Sequence, residues 1–160
     1  MLIINTGGTF NKRYDPIKGE LVVPQDNSAI EAILTSLVMD DISLQGILYK
    51  DSLEMDDLDR SALAKTIAQS NEQIIIVVHG TDTMDLSARC VASLVSEKVV
   101  VFTGAMVPFS VDILEATANM AMAIGYAQNV SNGVYIVMQG VMGRYDCVKK
   151  NKSAGKFEYV

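Results

Sequence analysis

Hydroxyls, carboxylates and glycines recur in this sequence directly after short apolar runs. Thr6-Gly7-Gly8-Thr9 follows one run, Asp51-Ser52 another, and Gly80-Thr81-Asp82-Thr83 a third. Gly104-Ala105-Met106 and Gly140 follow two more. A threonine or serine hydroxyl attacks an acyl carbon only when a base takes its proton and donors receive the oxyanion. Glycines let backbone N–H groups come close to a ligand. Each stretch alone is also an ordinary turn or helix cap. Together they describe one polar rim carrying Thr6, Thr9, Ser52, Thr81 and Asp82.

The base is the scarce component. His79 is the sole histidine, so a lysine or a tyrosine must serve, and desolvation lowers a lysine pKa towards neutrality. The candidates are Tyr14, Lys149 and Lys150. The glycines match neither the phosphate-loop pattern nor the dinucleotide pattern, and no Gly-x-Ser-x-Gly elbow occurs. Cys90 and Cys147 are too few for a disulfide scaffold and lack metal-ligand spacing. One histidine cannot build a multi-histidine metal site. The expectation is hydroxyl chemistry with no cofactor and no metal.

Five runs read as strands: Met1–Asn5, Gly46–Lys50, Gln73–His79, Lys98–Thr103 and Gly133–Gln139. They are short, β-branched and bounded by turn residues. Ile74 to Val78 is continuously apolar, as a strand covered on both faces requires. Between the runs, Ser28–Met39, Asp56–Ser70, Met84–Ser96 and Asp112–Ala127 carry apolar residues at helical spacing, with Asp26 or Asn27 as a cap for the first. Alternation of this kind predicts an α/β fold: a three-layer, doubly wound, mostly parallel sheet with helices on both faces. Asn11–Pro24 has no helical period and reads as a flexible loop or hairpin, a lid near the N-terminus. Ligand sites in such sheets lie beyond the carboxyl ends of the strands, which is where the hydroxyls and carboxylates collect.

The chain has 160 residues, 49% of them hydrophobic and 20% charged, enough for one domain with its own core. It is therefore read as a single domain over 1–160. The net charge of −6 argues against nucleic acid as a partner. No apolar run approaches the roughly 18–20 residues of a membrane span, and the opening residues lack a signal-peptide pattern. A cytoplasmic protein with a small-molecule substrate, no nucleic acid and no membrane partner is expected.

The motifs themselves are recognisable. Ile4-Asn5-Thr6-Gly7-Gly8-Thr9-Phe10 resembles the amino-terminal signature of the bacterial-type L-asparaginases. His79-Gly80-Thr81-Asp82-Thr83-Met84 is similar to their second signature, and Gly104-Ala105-Met106-Val107-Pro108 to their Gly-Ala-Met-x-Pro strand end. Ser52 sits where the family has its substrate-binding serine, and Asp112 and Asn119 fit the helix after the Gly-Ala-Met stretch. The ordered set covers nearly the whole chain. The resemblance implies hydrolysis of L-asparagine to L-aspartate and ammonia through a covalent acyl-enzyme. It implies Thr6 as nucleophile and Thr81 as a second essential threonine linked to a lysine, Lys149 first and Lys150 as the alternative. Tyr14 would be the lid tyrosine beside Thr6, Asp82 the partner of the substrate α-ammonium, and Ser52 that of the α-carboxylate. The backbones of Gly7, Thr81 and Ala105 would line the pocket.

Two departures from the family pattern shape the alternatives. Leu53 stands where a polar residue commonly follows the serine. The family's second, carboxy-terminal domain, whose neighbouring copy supplies an acidic residue near the lid, has no counterpart in these residues; Asp15, Glu20 and Glu54 are candidate stand-ins. Three readings follow: a short asparaginase, an asparaginase-like module that binds a small amino acid without turnover, and an amidotransferase-like subunit releasing ammonia to a partner. Family sites form at subunit contacts, so a homo-oligomer, at least a dimer, is expected.

Overall fold

The computed structural model describes residues 1–39 and 41–160. Its centre is a six-stranded sheet formed by β1 (Leu2–Gly7), β4 (Ser43–Lys50), β5 (Ile74–Val78), β6 (Val99–Thr103), β7 (Gly133–Met138) and β8 (Val141–Arg144). The strand order is β4-β1-β5-β6-β7-β8. All neighbours are parallel except β7 and β8. Those two are joined by a tight turn in which Gln139 and Gly140 both have positive φ, 54° and 81°, the backbone twist that a two-residue hairpin needs. Two hairpins stand apart from the main sheet. One pairs β2 (Arg13–Asp15) with β3 (Glu20–Val22); the other pairs β9 (Val148–Asn151) with β10 (Lys156–Tyr159).

Strand alternation divides the core into two halves. Leu2, Ile4, Ile75, Val77, Val100 and Phe102 face one side. There they meet Leu63 and Ile67 of α2 (Asp57–Gln69) and Ala88 and Val91 of α3 (Met84–Ala92). Ile3, Ile76, Val78 and Val101 face the other side. They meet Ile30 and Ile33 of α1 (Ser28–Ser36) and Met120 and Ile124 of α4 (Ile113–Ala127). The expected three layers are thus present, and the segment read as a loop or hairpin contains the β2–β3 hairpin. Burial of each such side chain contributes about 1.5–3 kcal/mol, so the sheet is fixed from both faces.

Helix ends follow local chemistry. Asp56 and Asp59 form a capping box at the start of α2. α1 ends three residues before Met39, where the apolar spacing would have carried it. Val38 takes a left-handed φ of 53°, and Met39 N–H bonds back to the Leu34 carbonyl at 3.1 Å. This back-bonded turn satisfies the last carbonyls and closes the helix.

Chain order makes the site. From β1 the chain passes through α1 to β4 on one side of β1, then through α2 to β5 on its other side. The connections after β1 and β5 therefore leave in opposite directions. A crevice opens between the carboxyl ends of these two strands, the switch point at which open α/β sheets bind ligands.

Candidate active site

The two glycine-bearing turns meet in that crevice. Gly8 has φ 73°, and a Cβ on it would run into the backbone nitrogen and Cα of Gly80. A Cβ on Gly80 would lie 2.6 Å from Ser52 Cβ and Oγ. Glycine is needed at both places because the Gly8 and Gly80 backbones meet directly and the Ser52 side chain packs on Gly80. The Thr9, Ser52 and Thr81 turns are drawn into one cluster as a result. β4 reaches it through an irregularity: Leu48 and Tyr49 have φ of 67° and 48°, and the β1–β4 register shifts between Asn5 and Gly7. Such a bulge re-aims the strand, here directing Asp51 and Ser52 towards Gly80.

At the far side of the crevice, Lys150 Nζ donates to Thr81 Oγ1 at 2.8 Å and to Asp82 Oδ1 at 2.9 Å. Thr81 is buried, and the Lys150 side chain is only 13% exposed. Thr83 Oγ1 donates to the Ser52 carbonyl at 2.8 Å, tying the second signature to the serine turn. Ser52 Oγ is buried and has no hydrogen-bond partner among the described residues. Glu115, in the first turn of α4, accepts from Met106 N–H at 3.0 Å and Val107 N–H at 2.9 Å. Asn119 Nδ2 donates to the Gly104 carbonyl at 2.9 Å. These bonds fix the buried Ala105 between them.

The geometry places two expected residues away from the crevice. Thr6 lies inside β1, fully buried, and its hydroxyl donates to the Val78 carbonyl across the β1–β5 pair at 2.9 Å. Period-two alternation puts it on the same face as Leu2 and Ile4, so it is a sheet residue and not a rim hydroxyl. Thr9 is partly exposed and opens the one-turn helix Thr9–Asn11, next in chain to Gly8, which packs against Gly80. The second placement concerns the lysine, for which the sequence offered both Lys149 and Lys150. In β9, Val148 and Lys150 share the inward face with Phe157, whereas Lys149 is exposed and paired in register with Glu158. Lys150, not Lys149, reaches Thr81.

The remaining expected residues are placed as follows. Gly7 N–H is held by Asn5 Oδ1 at 2.9 Å. Tyr14 is 62% exposed on β2, opposite Leu21, whereas the Thr6 hydroxyl is buried on the Val78 carbonyl. Asp15 and Glu20 face each other across the β2–β3 hairpin. Asp112 caps α4 through Leu114 N–H. Glu115, Lys12 and Gln139, whose Oε1 receives the Phe157 N–H at 3.0 Å, were not singled out by the sequence. For Glu115 a signal existed, since it stands three residues after the Asp112 cap. Among the described residues no group of three His, Cys, Asp or Glu is arranged to hold a metal ion, and no helix is long and apolar enough to cross a membrane.

His79 is fully buried behind the rim, its Nδ1 2.8 Å from the Gly80 carbonyl. Burial first, then the Arg60 charge, push its pKa down from 6.5 to about 4, against the opposing pull of the Gly80 bond, Asp51 and Asp85. Between these values the unfolded chain takes up a proton that the native chain refuses. Stability is therefore intact above pH 6.5 and falls as pH drops towards 4, by about 3 kcal/mol for a shift of this size. Asp51 and Asp59, whose carboxyls lie below the usual 3.8, act in a lower window. Urea midpoints measured from pH 7 to pH 4 are expected to fall in the wild type and to fall less in His79→Asn.

Comparison with known proteins agrees with this architecture. The family model described as Asparaginase, N-terminal matches residues 1–156. Among curated proteins, a glutamyl-tRNA(Gln) amidotransferase subunit from Methanococcus maripaludis is 25% identical over 151 residues, covering 91% of this chain and 36% of the relative. The corresponding protein from Methanococcus vannielii is 28% identical over 144 residues, covering 86% and 34%. Among solved structures, the thermostable L-asparaginase from Thermococcus kodakarensis superimposes with a TM-score of 0.83 at 21% identity, over 99% of this chain and 50% of that one. A probable cytoplasmic L-asparaginase from Campylobacter jejuni gives a TM-score of 0.80 at 26% identity, over 99% and 52%. The chain thus spans about a third of these curated relatives and about half of these solved structures. With residues 1–156 matched by one model and the same fold found over its length, the chain belongs to the asparaginase family, of which it carries the amino-terminal domain.

Proposed function

We propose that residues 1–160 act as one amidohydrolase module that converts L-asparagine to L-aspartate and ammonia. The observation that carries this reading is the Thr81–Lys150–Asp82 chain at 2.8 and 2.9 Å, set at the switch point beside the Thr9 turn. Thr9 Oγ1 bonds to the side-chain amide carbon while its proton passes to the Thr81–Lys150 pair. The tetrahedral adduct collapses, the C–N bond breaks, the nitrogen receives the proton and ammonia leaves. Water then attacks the Thr9 ester and gives up a proton to the Thr81–Lys150 pair, the C–O bond to Thr9 breaks, Thr9 Oγ1 takes that proton and L-aspartate departs. Asp82 holds the substrate ammonium. Ser52, whose hydroxyl is unspent, holds the carboxylate. The backbone N–H groups of Thr81 and Ala105 face the developing oxyanion, where one donor is worth roughly 10²–10³ in rate. Tyr14 serves as a lid residue once the β2–β3 hairpin folds over the rim. The working form is a homo-oligomer in the cytoplasm, a compartment named for the Campylobacter jejuni relative.

A second reading draws support from the curated relatives, which are named as parts of a glutamyl-tRNA(Gln) amidotransferase: the same chemistry could release ammonia to a partner. A third, a module that binds without turnover, draws support from the exposed apolar Leu53 beside Ser52. Ammonia release from L-asparagine, L-glutamine and D-asparagine decides among them. Turnover of L-asparagine that is lost in Thr81→Ala supports the hydrolase. Turnover that rises only when an amidotransferase partner is added supports the second reading. L-Aspartate binding without any turnover supports the third.

A further inference from the structure

Lys12 is not part of either signature, yet it touches the Thr9 turn, the Ser52 turn and the segment after the Gly-Ala-Met stretch. Its N–H closes the one-turn helix that begins at Thr9, bonding to the Thr9 carbonyl at 3.1 Å. Its own carbonyl accepts from Ser110 Oγ at 2.8 Å, in the segment after the Gly-Ala-Met stretch. Its ammonium forms a short ion pair with Asp51 Oδ2, the residue immediately before Ser52. Both side chains of that pair are three-quarters buried, at 24% exposure each. Asp51 in turn caps the Ser52 turn, accepting from Leu53 N–H at 3.1 Å with its other oxygen. Burial opposes the charge on Asp51, but the Lys12 bond, the Leu53 N–H and the Lys12 charge outweigh it and hold the carboxyl below its usual range. The pair sits in a cleft of about 460 Å³ between the β2–β3 hairpin and the Ser52 turn, bordered by Leu21, Val23 and Leu53.

One charged bond in this place sets the separation between the Thr9 turn and the Ser52 turn. A charge-assisted hydrogen bond is roughly twice as strong as a neutral one, and partial burial spares it from most screening. Other bonds hold each turn to a different neighbour: Thr83 Oγ1 holds the Ser52 carbonyl at 2.8 Å. Gly8 N–H holds the Lys50 carbonyl at 2.9 Å, and Phe109 N–H holds the Phe10 carbonyl at 3.2 Å. These anchor the Thr9 turn to β4 and to the loop after β6, and neither engages the Ser52 turn itself.

We infer that Lys12 is a positioning residue: its ion pair with Asp51 clasps the Ser52 turn to the Thr9 turn and so sets how well the substrate carboxylate is held. The kinetic half of this inference rests on the amidohydrolase reading; the structural half does not. Because the Thr9 turn keeps its other anchors, the damage on losing the clasp falls on binding. Lys12→Met is expected to raise KM for L-asparagine about tenfold while kcat changes less than about threefold, the signature of lost uniform binding. Asp51→Asn does the same, and the double variant is no worse than either single one, since both remove one interaction. Lys12→Arg keeps KM within about threefold, because the charge and reach are retained.

Amide hydrogen exchange on the same four variants supplies a readout that needs no turnover. Lys12→Met and Asp51→Asn are each expected to speed exchange in both turns, at Asn11 and Lys12 and at Leu53 and Glu54. Wild-type protein that releases no ammonia overturns the amidohydrolase reading, and exchange then decides the clasp alone. Acceleration in both turns upholds it; acceleration confined to the mutated turn overturns it, as do multiplicative losses in the double variant.

Discussion

Thr9→Ala is expected to reduce amide turnover to background, a loss of at least about 10³-fold of the kind seen when a nucleophile is removed, whereas Thr6→Val leaves turnover within about tenfold. The contrast comes from where each hydroxyl is spent. Thr6 Oγ1 gives its proton to the Val78 carbonyl inside the sheet, with no exposure to the crevice. To attack a substrate it would have to leave β1, breaking the bond and opening a buried polar gap beside Ile4 and Val77. Valine matches its shape and removes the hydroxyl, so the expected cost is one net hydrogen bond, about 1 kcal/mol of stability. Thr9 sits past the two glycines, partly exposed, on the turn packed against Gly80. Mass spectrometry of rapidly quenched reactions separates the cases. An acyl adduct forms in the wild type and in Thr6→Val and is absent from Thr9→Ala. An adduct on Thr6, or loss of activity in Thr6→Val without loss of folding, would overturn the assignment.

The placement of Thr6 and Thr9 also shows what the sequence could and could not reveal. Thr-Gly-Gly-Thr announces a strand end followed by a tight turn, but it does not say on which side of the turn the chemistry lies. That depends on where β1 stops, and β1 runs through Gly7, two residues past the apolar run that marks it. The five central strands and four helices were legible because each repeats a burial pattern over several residues, and burial is what a sheet covered on both faces imposes. β8, β9 and β10 were not singled out. Each is four residues long, and β9 carries only Val148 as a buried hydrophobe. Its alternation was nevertheless readable: Val148 and Lys150 are two apart, so an inward valine implies an inward Lys150. The Lys12–Asp51 pair had no such signal. It joins residues 39 apart in sequence, across segments with no shared periodic pattern.

The same alternation sets the second large effect. Lys150→Met is expected to lower kcat by about 10²–10⁴-fold, the usual worth of a positioned acid or base, and Lys149→Met by less than about threefold. The two changes are matched: each deletes one positive charge from the same strand, so long-range electrostatics shift alike. They differ in what is left behind. Lys149 is exposed and faces Glu158, and exposed pairs are worth at most about 1 kcal/mol. Lys150 links Thr81 Oγ1 to Asp82 Oδ1. Without it Thr81 loses its proton partner, and Asp82 loses its ion pair. KM should therefore change little or fall in Lys150→Met while kcat collapses, an opposite split from that expected for Lys12→Met. Methylamine in the buffer offers a further check, because a small amine can occupy the space vacated by the Lys150 side-chain end. Partial recovery of kcat in Lys150→Ala with added methylamine would assign proton transfer to that position. A lysine acting only as a counter-charge would instead be replaced by arginine, so full activity in Lys150→Arg would overturn the relay role.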